Sequence, residues 1–177
     1  AAGNSSANST TINATTTSAS LITDLYFSEY VEGSSNNKIL EIANGTGSSV
    51  ALSSYVVKKQ TNGAGAWSTG ITLSGTLANG AKYVMVHSST SSACYPVASA
   101  NYSSAGNELT FNGNDAVGLF KNGVLIDIIG TFNGGTANFS ADETLRRNTT
   151  VAVPNVTFNK ATDWTVYGLD TYSVIVN

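Results

Sequence analysis

From residue 21 onward, apolar and polar positions alternate with a period of two. In residues 21–28, Leu21, Thr23, Leu25 and Phe27 fall on one face, while Ile22, Asp24, Tyr26 and Ser28 fall on the other. That pattern predicts a strand with one face turned inward. Lys38–Ala43 (KILEIA), Tyr55–Gln60, residues 71–77 and Lys82–His87 (KYVMVH) predict further strands. Residues 88–106 are rich in Ser and Ala and predict a long surface loop. Residues 109–111 and 116–120 come next. Asn122-Gly123 stands between two apolar runs and predicts a two-residue type I′ hairpin, with Val124–Ile129 as the return strand. Weaker strand patterns lie at 144–147, 156–158, Trp164–Tyr167 and 173–176. The one helical signal is residues 140–144, where Ser140 could cap a turn with Glu143 three residues on. Many short strands separated by Gly and Asn turns indicate an all-β sandwich or barrel.

Residues 1–20 differ from the rest. They carry no charge, no aromatic residue and one large apolar residue, Ile12. Such a segment buries too little area to offset its own ordering entropy. Its threonines favour strands, so it can order by adding to a sheet edge of another copy. Thr11, Ile12, Asn13, Ala14 and Thr15 are the candidate pairing segment. The chain therefore divides into a Ser/Thr/Asn tail over 1–20 and a β-domain over 21–177.

Composition narrows the function classes. Only 11% of the 177 residues are charged, while Ser, Thr and Asn number 23, 22 and 19. Copies with such a surface repel one another weakly. Two arginines and six scattered lysines, at a net charge of −3, argue against holding a nucleic-acid backbone. No run approaches the roughly 18 apolar residues of a membrane helix. Ala1-Ala2-Gly3 lacks the charged and apolar regions of a signal peptide, which fits a mature terminus and an extracellular or cell-surface location.

Candidate chemistry is sparse. Cys94 is the one cysteine, which excludes an internal disulfide; it reads as a small buried residue or as an intermolecular thiol. A Ser-His-Asp triad would need the lone His87 as base, and no G-x-S-x-G elbow precedes a helix. The carboxylate pairs Glu29 with Glu32, Asp142 with Glu143 and Asp163 with Asp170 have no spacing that fixes a sugar between them, and Glu29 and Glu32 read as flanking a turn. Asn112-Gly113-Asn114-Asp115 is rich in oxygen and could hold Ca²⁺, but it lacks full loop spacing and reads first as a turn. No cofactor is expected. Glu41, among apolar residues, either faces solvent or pairs with Lys38, Arg146 or Arg147. Sequons at Asn4, Asn8, Asn13, Asn44, Asn101, Asn138, Asn148 and Asn155 are candidate glycan sites. Trp67 and Trp164 could stack on a sugar or simply sit in the core.

Three motifs carry a resemblance. FSEYVEGSSNNKILEIANG (residues 27–45), GNDAVGLFKNGVLIDII (113–129) and ETLRRN (143–148) with a later Asp163-Trp164 follow each other in an order similar to the lamin-tail domain of secreted bacterial proteins. The resemblance covers residues 21–172. It implies an immunoglobulin-like β-sandwich with no catalytic residues, often an accessory module of surface proteins. Two functions are then expected. One is a structural subunit of a surface filament or matrix, its partners other copies of itself, joined through sheet edges and the tail. The other is an adhesion module for carbohydrate or a secreted enzyme.

Overall fold

The computed structural model describes residues 22–173. Twelve strands cross them: β1 (Tyr26–Glu32), β2 (Lys38–Ala43), β3 (Val50–Ala51), β4 (Tyr55–Gln60), β5 (Ile71–Thr72), β6 (Thr76–Leu77), β7 (Lys82–His87), β8 (Tyr102–Ser104), β9 (Ala116–Lys121), β10 (Val124–Ile129), β11 (Glu143–Arg147) and β12 (Trp164–Tyr167). A single turn of helix, α1 (Lys160–Asp163), precedes β12. The larger sheet has the order β12-β11-β1-β2-β7-β8, and the smaller β10-β9-β4-β5; β3 and β6 form a separate pair. The pairings are antiparallel except β7 with β8. This is the immunoglobulin-like sandwich that the resemblance implied, and it fits the all-β sandwich or barrel read from the residue pattern. No helix among the described residues is long and apolar enough to cross a membrane.

The core forms where the two sheets face each other. Phe27, Tyr30, Leu40, Ile42, Met85 and Leu145 of the larger sheet meet Tyr55, Val57, Val117, Leu119 and Ile129 of the smaller. Each such aliphatic side chain contributes roughly 1.5–3 kcal/mol by leaving water. Tyr30 stacks on Phe111, with ring centroids 4.6 Å apart. One ion pair ties the layers together: the Arg147 guanidinium of β11 reaches both oxygens of Asp127 on β10, at 2.8 and 2.7 Å.

Several expectations hold. Lys38–Ala43, Tyr55–Gln60, Lys82–His87, Val124–Ile129 and Trp164–Tyr167 are strands as predicted. Asn122 and Gly123 both have positive φ, 50° and 81°, as a type I′ turn requires.

Others are corrected. The first strand starts at Tyr26, not at 21, and runs to Glu32. Its register breaks between Phe27 and Glu29, so a bulge at Ser28 resets the alternation. Phe27 and Tyr30 both reach the core, and Glu29 turns outward. Residues 71–77 are two short strands, split at Gly75 with φ 88°. Residues 107–109 form a 3₁₀ turn instead of a strand, although Leu109 and Phe111 are fully buried. The loop over 88–106 contains β8. Residues 156–158 are not a strand, because the Asn155 side chain accepts the Thr157 N–H and bends the chain there. Residues 140–144 make no capped helix: Asp142 is left-handed at φ 56° and donates its N–H to Glu32, and Glu143 opens β11. The segments at 1–20 and 174–176 lie outside the described residues.

Candidate functional site

The face of the larger sheet that points away from the core is covered, and most of the polar side chains of interest collect on it. Across β11, β1, β2 and β7 the register places Arg146, Glu29, Glu41 and Val84 in one row. Two carboxylates directly opposite each other repel, so each needs a cation. Arg146 Nε lies 3.1 Å from Glu29 Oε1, and Lys82 Nζ lies 2.6 Å from Glu41 Oε1. Glu41 is therefore buried and paired, and its partner is Lys82, not Lys38, Arg146 or Arg147. Glu41 also accepts hydrogen bonds from Ser28 Oγ and the Tyr172 hydroxyl, both at 2.7 Å. Glu32 borders the β1–β2 turn as expected and pairs across it with Lys38, whereas Glu29 lies inside β1, away from the turn. Burial pushes the Glu29 carboxyl above its ordinary value, against the pull of Ser173 and Arg146.

The cover is a strap over residues 170–173. Asp170 Oδ1 accepts the Ser34 N–H at 2.8 Å and Asn37 Nδ2 at 2.9 Å, while Oδ2 accepts the Ser34 hydroxyl at 2.6 Å. Burial alone would raise this carboxyl, but the donors from Ser34 and Asn37 outweigh it and hold it below the usual range. Gly33 is required beside it, since a Cβ there would lie 2.2 Å from Asp170 Oδ1. The Thr171 carbonyl accepts Arg146 Nη2 at 2.9 Å. Ser173 donates its N–H to Glu29 Oε1 at 2.8 Å, and its hydroxyl to the other oxygen. Under the strap, Val31, Ile39, Val84 and Val86 make a second small core with Cys94, Tyr95 and Tyr172.

Two cavities flank Tyr172 and Ser173 and share Lys82 as a wall. The larger, about 590 Å³, is lined by Lys82, Val84, Cys94, Tyr95, Asn101 and Tyr172. The smaller, about 330 Å³, is lined by Tyr26, Ala43, Lys82, Arg147, Ala152 and Ser173. Burial, with Asp170 and Glu29 nearby, raises the Cys94 thiol to about 11, so it is a poor nucleophile at neutral pH.

The sheet also has an exposed margin. On β12, Val166 is 48% and Tyr167 37% accessible, and Leu169 just beyond is 45% accessible. Among the described residues no strand pairs with the outer side of β12. Trp164 is in the core as expected, packed under Arg147 at 4.3 Å from its ring centroid. Val166, two residues on and opposite Leu145, is nevertheless exposed. A second exposed feature lies on the smaller sheet, where Trp67 stacks on Phe132 (4.9 Å, 19°) and meets Phe120 edge-on. Gly118 leaves room for the indole, since a Cβ there would come within 3.1 Å of it.

The remaining candidates are dispersed. His87 is buried at the end of β7, its Nδ1 accepting the Ser89 N–H at 3.0 Å. In the 112–115 loop, Asp115 is buried against Lys59 at 3.1 Å and accepts the Asn62 N–H at 2.6 Å. Among the described residues no three His, Cys, Asp or Glu side chains gather as metal ligands. Asn44 is buried, and its Nδ2 donates to the carbonyls of Ser48 and Leu77. Asn148 donates to the Thr162 carbonyl, Asn155 is half-buried, and Asn101 and Asn138 are exposed. Asn4, Asn8, Asn13 and the segment Thr11, Ile12, Asn13, Ala14, Thr15 lie outside the described residues. Seven of the eight Lys and Arg side chains form ion pairs, all but Lys58, so little free positive charge is left on the surface.

Sequence reasoning missed the strap. Its one signal was a set of polar residues, Asp170, Thr171 and Ser173, close to a strand-like end, and nothing local marks the partners of Asp170 and Ser173, which lie 133 to 144 residues away.

No curated protein matches the chain. The family model of the Lamin Tail Domain matches residues 18–133, which takes in β1 through β10 and both longer motifs and stops before ETLRRN. With that match over well more than half of its length and an immunoglobulin-like sandwich beneath it, the chain belongs to the lamin tail domain family.

Proposed function

We infer that this domain is a non-catalytic structural protein of the cell exterior, whose copies join by adding residues 1–20 of one as a strand to β12 of the next. The observation that carries this is the margin formed by β12, with Val166, Tyr167 and Leu169 turned to solvent. An extended segment gains backbone hydrogen bonds at such an edge and seats alternate side chains beside it. A Ser/Thr/Asn-rich tail suits the role, because it is free of charge and rich in strand-favouring threonine. Internal pairing of nearly every Lys and Arg supports the reading too, since neutral surfaces approach closely. The contact is heterologous, so repeated addition gives an open fibre. The test compares particle size for the full chain and for a chain lacking residues 1–20, by electron microscopy and sedimentation. Long particles from the full chain and monomers from the truncated one are expected; equal assembly of both overturns the reading.

A second reading rests on the Trp67 and Phe132 stack, whose outer ring is 38% accessible. It makes the domain an adhesion module that stacks a sugar ring on Phe132. Glycan-array binding that is lost in Trp67→Ala supports it; a silent array removes it.

A further inference from the structure

The geometry points to Asn101 as the site at which the folded domain accepts an N-linked oligosaccharide. Sequons within the described residues stand at Asn44, Asn101, Asn138, Asn148 and Asn155. By sequence they are equivalent acceptors. The fold separates them, because transfer onto a folded chain needs three things at once. The asparagine must be exposed, its Nδ2 must be uncommitted, and the hydroxyl two residues on must be open to the transferase.

Asn44 is buried, and its Nδ2 already donates to the Ser48 and Leu77 carbonyls at 2.9 and 2.8 Å. Asn148 is half-buried, its Nδ2 donates to the Thr162 carbonyl at 2.9 Å, and its Oδ1 accepts the Thr165 hydroxyl at 2.6 Å. Asn155 is half-buried too, with Oδ1 accepting the Thr157 N–H at 2.9 Å and Nδ2 donating to Asp163 at 3.5 Å. Asn138 is exposed, but the hydroxyl of its sequon belongs to Ser140, which is buried.

Asn101 meets all three conditions. It is exposed, and so is Ser103, the third residue of its sequon. The Asn101 N–H donates to the Val84 carbonyl at 2.9 Å, and Oδ1 accepts the Val84 N–H at 2.7 Å. The residue is thus held beside β7 like an extra rung ahead of β8. Among the described residues no hydrogen bond uses its Nδ2. Transfer joins Nδ2 to the anomeric carbon of a lipid-linked oligosaccharide. The bond from that carbon to the lipid pyrophosphate breaks, the pyrophosphate leaves with the electron pair, and Nδ2 gives up one proton. The product amide keeps its oxygen for Val84, so the fold loses no hydrogen bond.

The position also suits assembly. β8 ends the larger sheet on the side away from β12. Five strand spacings of about 4.8 Å put these two edges about 24 Å apart. A bulky, hydrated glycan at Asn101 leaves the β12 margin clear and shields the opposite edge from unwanted strand addition. That the protein meets such a donor rests on the exterior location proposed above; the acceptor geometry does not.

Site-resolved transfer tests this. The folded full chain is incubated with a single-subunit oligosaccharyltransferase and a lipid-linked oligosaccharide, and each sequon is read by peptide mass spectrometry. The enzyme chosen is one that modifies free peptides spanning each described sequon. In the folded chain Asn101 is expected to be modified at least about tenfold faster than Asn44, Asn138, Asn148 and Asn155, which wait on local opening. Asn101→Gln and Ser103→Ala should each abolish that product, and Ser103→Ala, at an exposed position, should leave the urea midpoint unchanged. Equal rates at the described sequons overturn the proposal. So does faster transfer at Asn138, or no transfer at Asn101 under conditions that modify its free peptide. The exterior location and the assembly contact are judged by cell fractionation and particle size, and can fail without altering this result.

Discussion

Replacing Arg147 with Met tests the ion pair that joins the two layers. The guanidinium reaches Asp127 Oδ1 and Oδ2 at 2.8 and 2.7 Å, and its Nε donates to the Phe27 carbonyl at 3.1 Å. Asp127 also accepts the Phe27 and Asn155 N–H groups, at 2.7 and 2.9 Å. Both side chains are almost completely removed from water. Burial pushes the Asp127 carboxyl above its ordinary value, and Arg147 and the two amides pull against it. Arg147→Met leaves that carboxylate buried with two neutral donors and no counter-charge. Removing one partner of a buried pair costs about 3–5 kcal/mol. The lost contact with the Trp164 ring adds about 0.5–2 kcal/mol, partly offset because Met still packs there. With a urea slope of about 2 kcal/mol/M, a loss of about 4 kcal/mol lowers the unfolding midpoint by about 2 M. Asp127→Asn together with Arg147→Met removes both charges. The double variant is therefore expected to cost about 2 kcal/mol less than the sum of the singles. Additive costs, or a midpoint shift under about 0.5 M for Arg147→Met, refute the view that this pair is a tightly coupled joint.

Glu29 carries a pH dependence of known sign. Its folded pKa lies above the ordinary 4.5. Between 4.5 and that raised value the folded state holds a proton the unfolded chain has lost, so Glu29 makes stability fall as pH rises through the window. Glu29→Gln removes this contribution, and the difference in urea midpoint between it and the parent, followed from about pH 4 to about pH 7, changes with that sign. Gly63→Ala places a Cβ 2.0 Å from the Gly135 carbonyl at a φ of +60°. It should cost about 3 kcal/mol, a fall of roughly 10 °C in Tm. Gly47→Ala, with φ +86° and open space around it, should lose only the backbone strain of about 1 kcal/mol. Val166→Lys puts a charge on the open margin and should abolish long particles while leaving the unfolding free energy within about 0.5 kcal/mol of the parent. Undiminished assembly of that variant removes β12 as the acceptor.

The strands that proved legible were those with one decisive local cue. Asn122-Gly123 requires two left-handed residues and so marked its hairpin. Lys82–His87 and Tyr55–Gln60 are short runs rich in Val and Tyr bounded by Ser, Asn and Gly. The first strand was misplaced because its alternation changes phase at the Ser28 bulge, which depends on β2 rather than on the strand itself. Leu109 and Phe111 are buried at the end of a 3₁₀ turn and just beyond it, and burial without a ladder is not distinguishable by periodicity. Glu41 was recognised as needing a partner, but the choice of Lys82 depends on β7 lying beside β2. The strap was invisible for the same reason: Asp170 and Ser173 find Ser34, Asn37 and Glu29 only after the whole larger sheet is assembled.

The order of strands in that sheet also governs when the chain can finish folding. β1 lies between β2, which follows it at once, and β11, which is made more than a hundred residues later. Until β11 has been synthesised, one side of β1 lacks its hydrogen-bond partner and Phe27 and Tyr30 lack part of their enclosure. Closure therefore waits on distant contacts, a topology that folds in milliseconds to seconds rather than microseconds. A growing polypeptide of this sequence thus cannot complete the larger sheet until β11 is available.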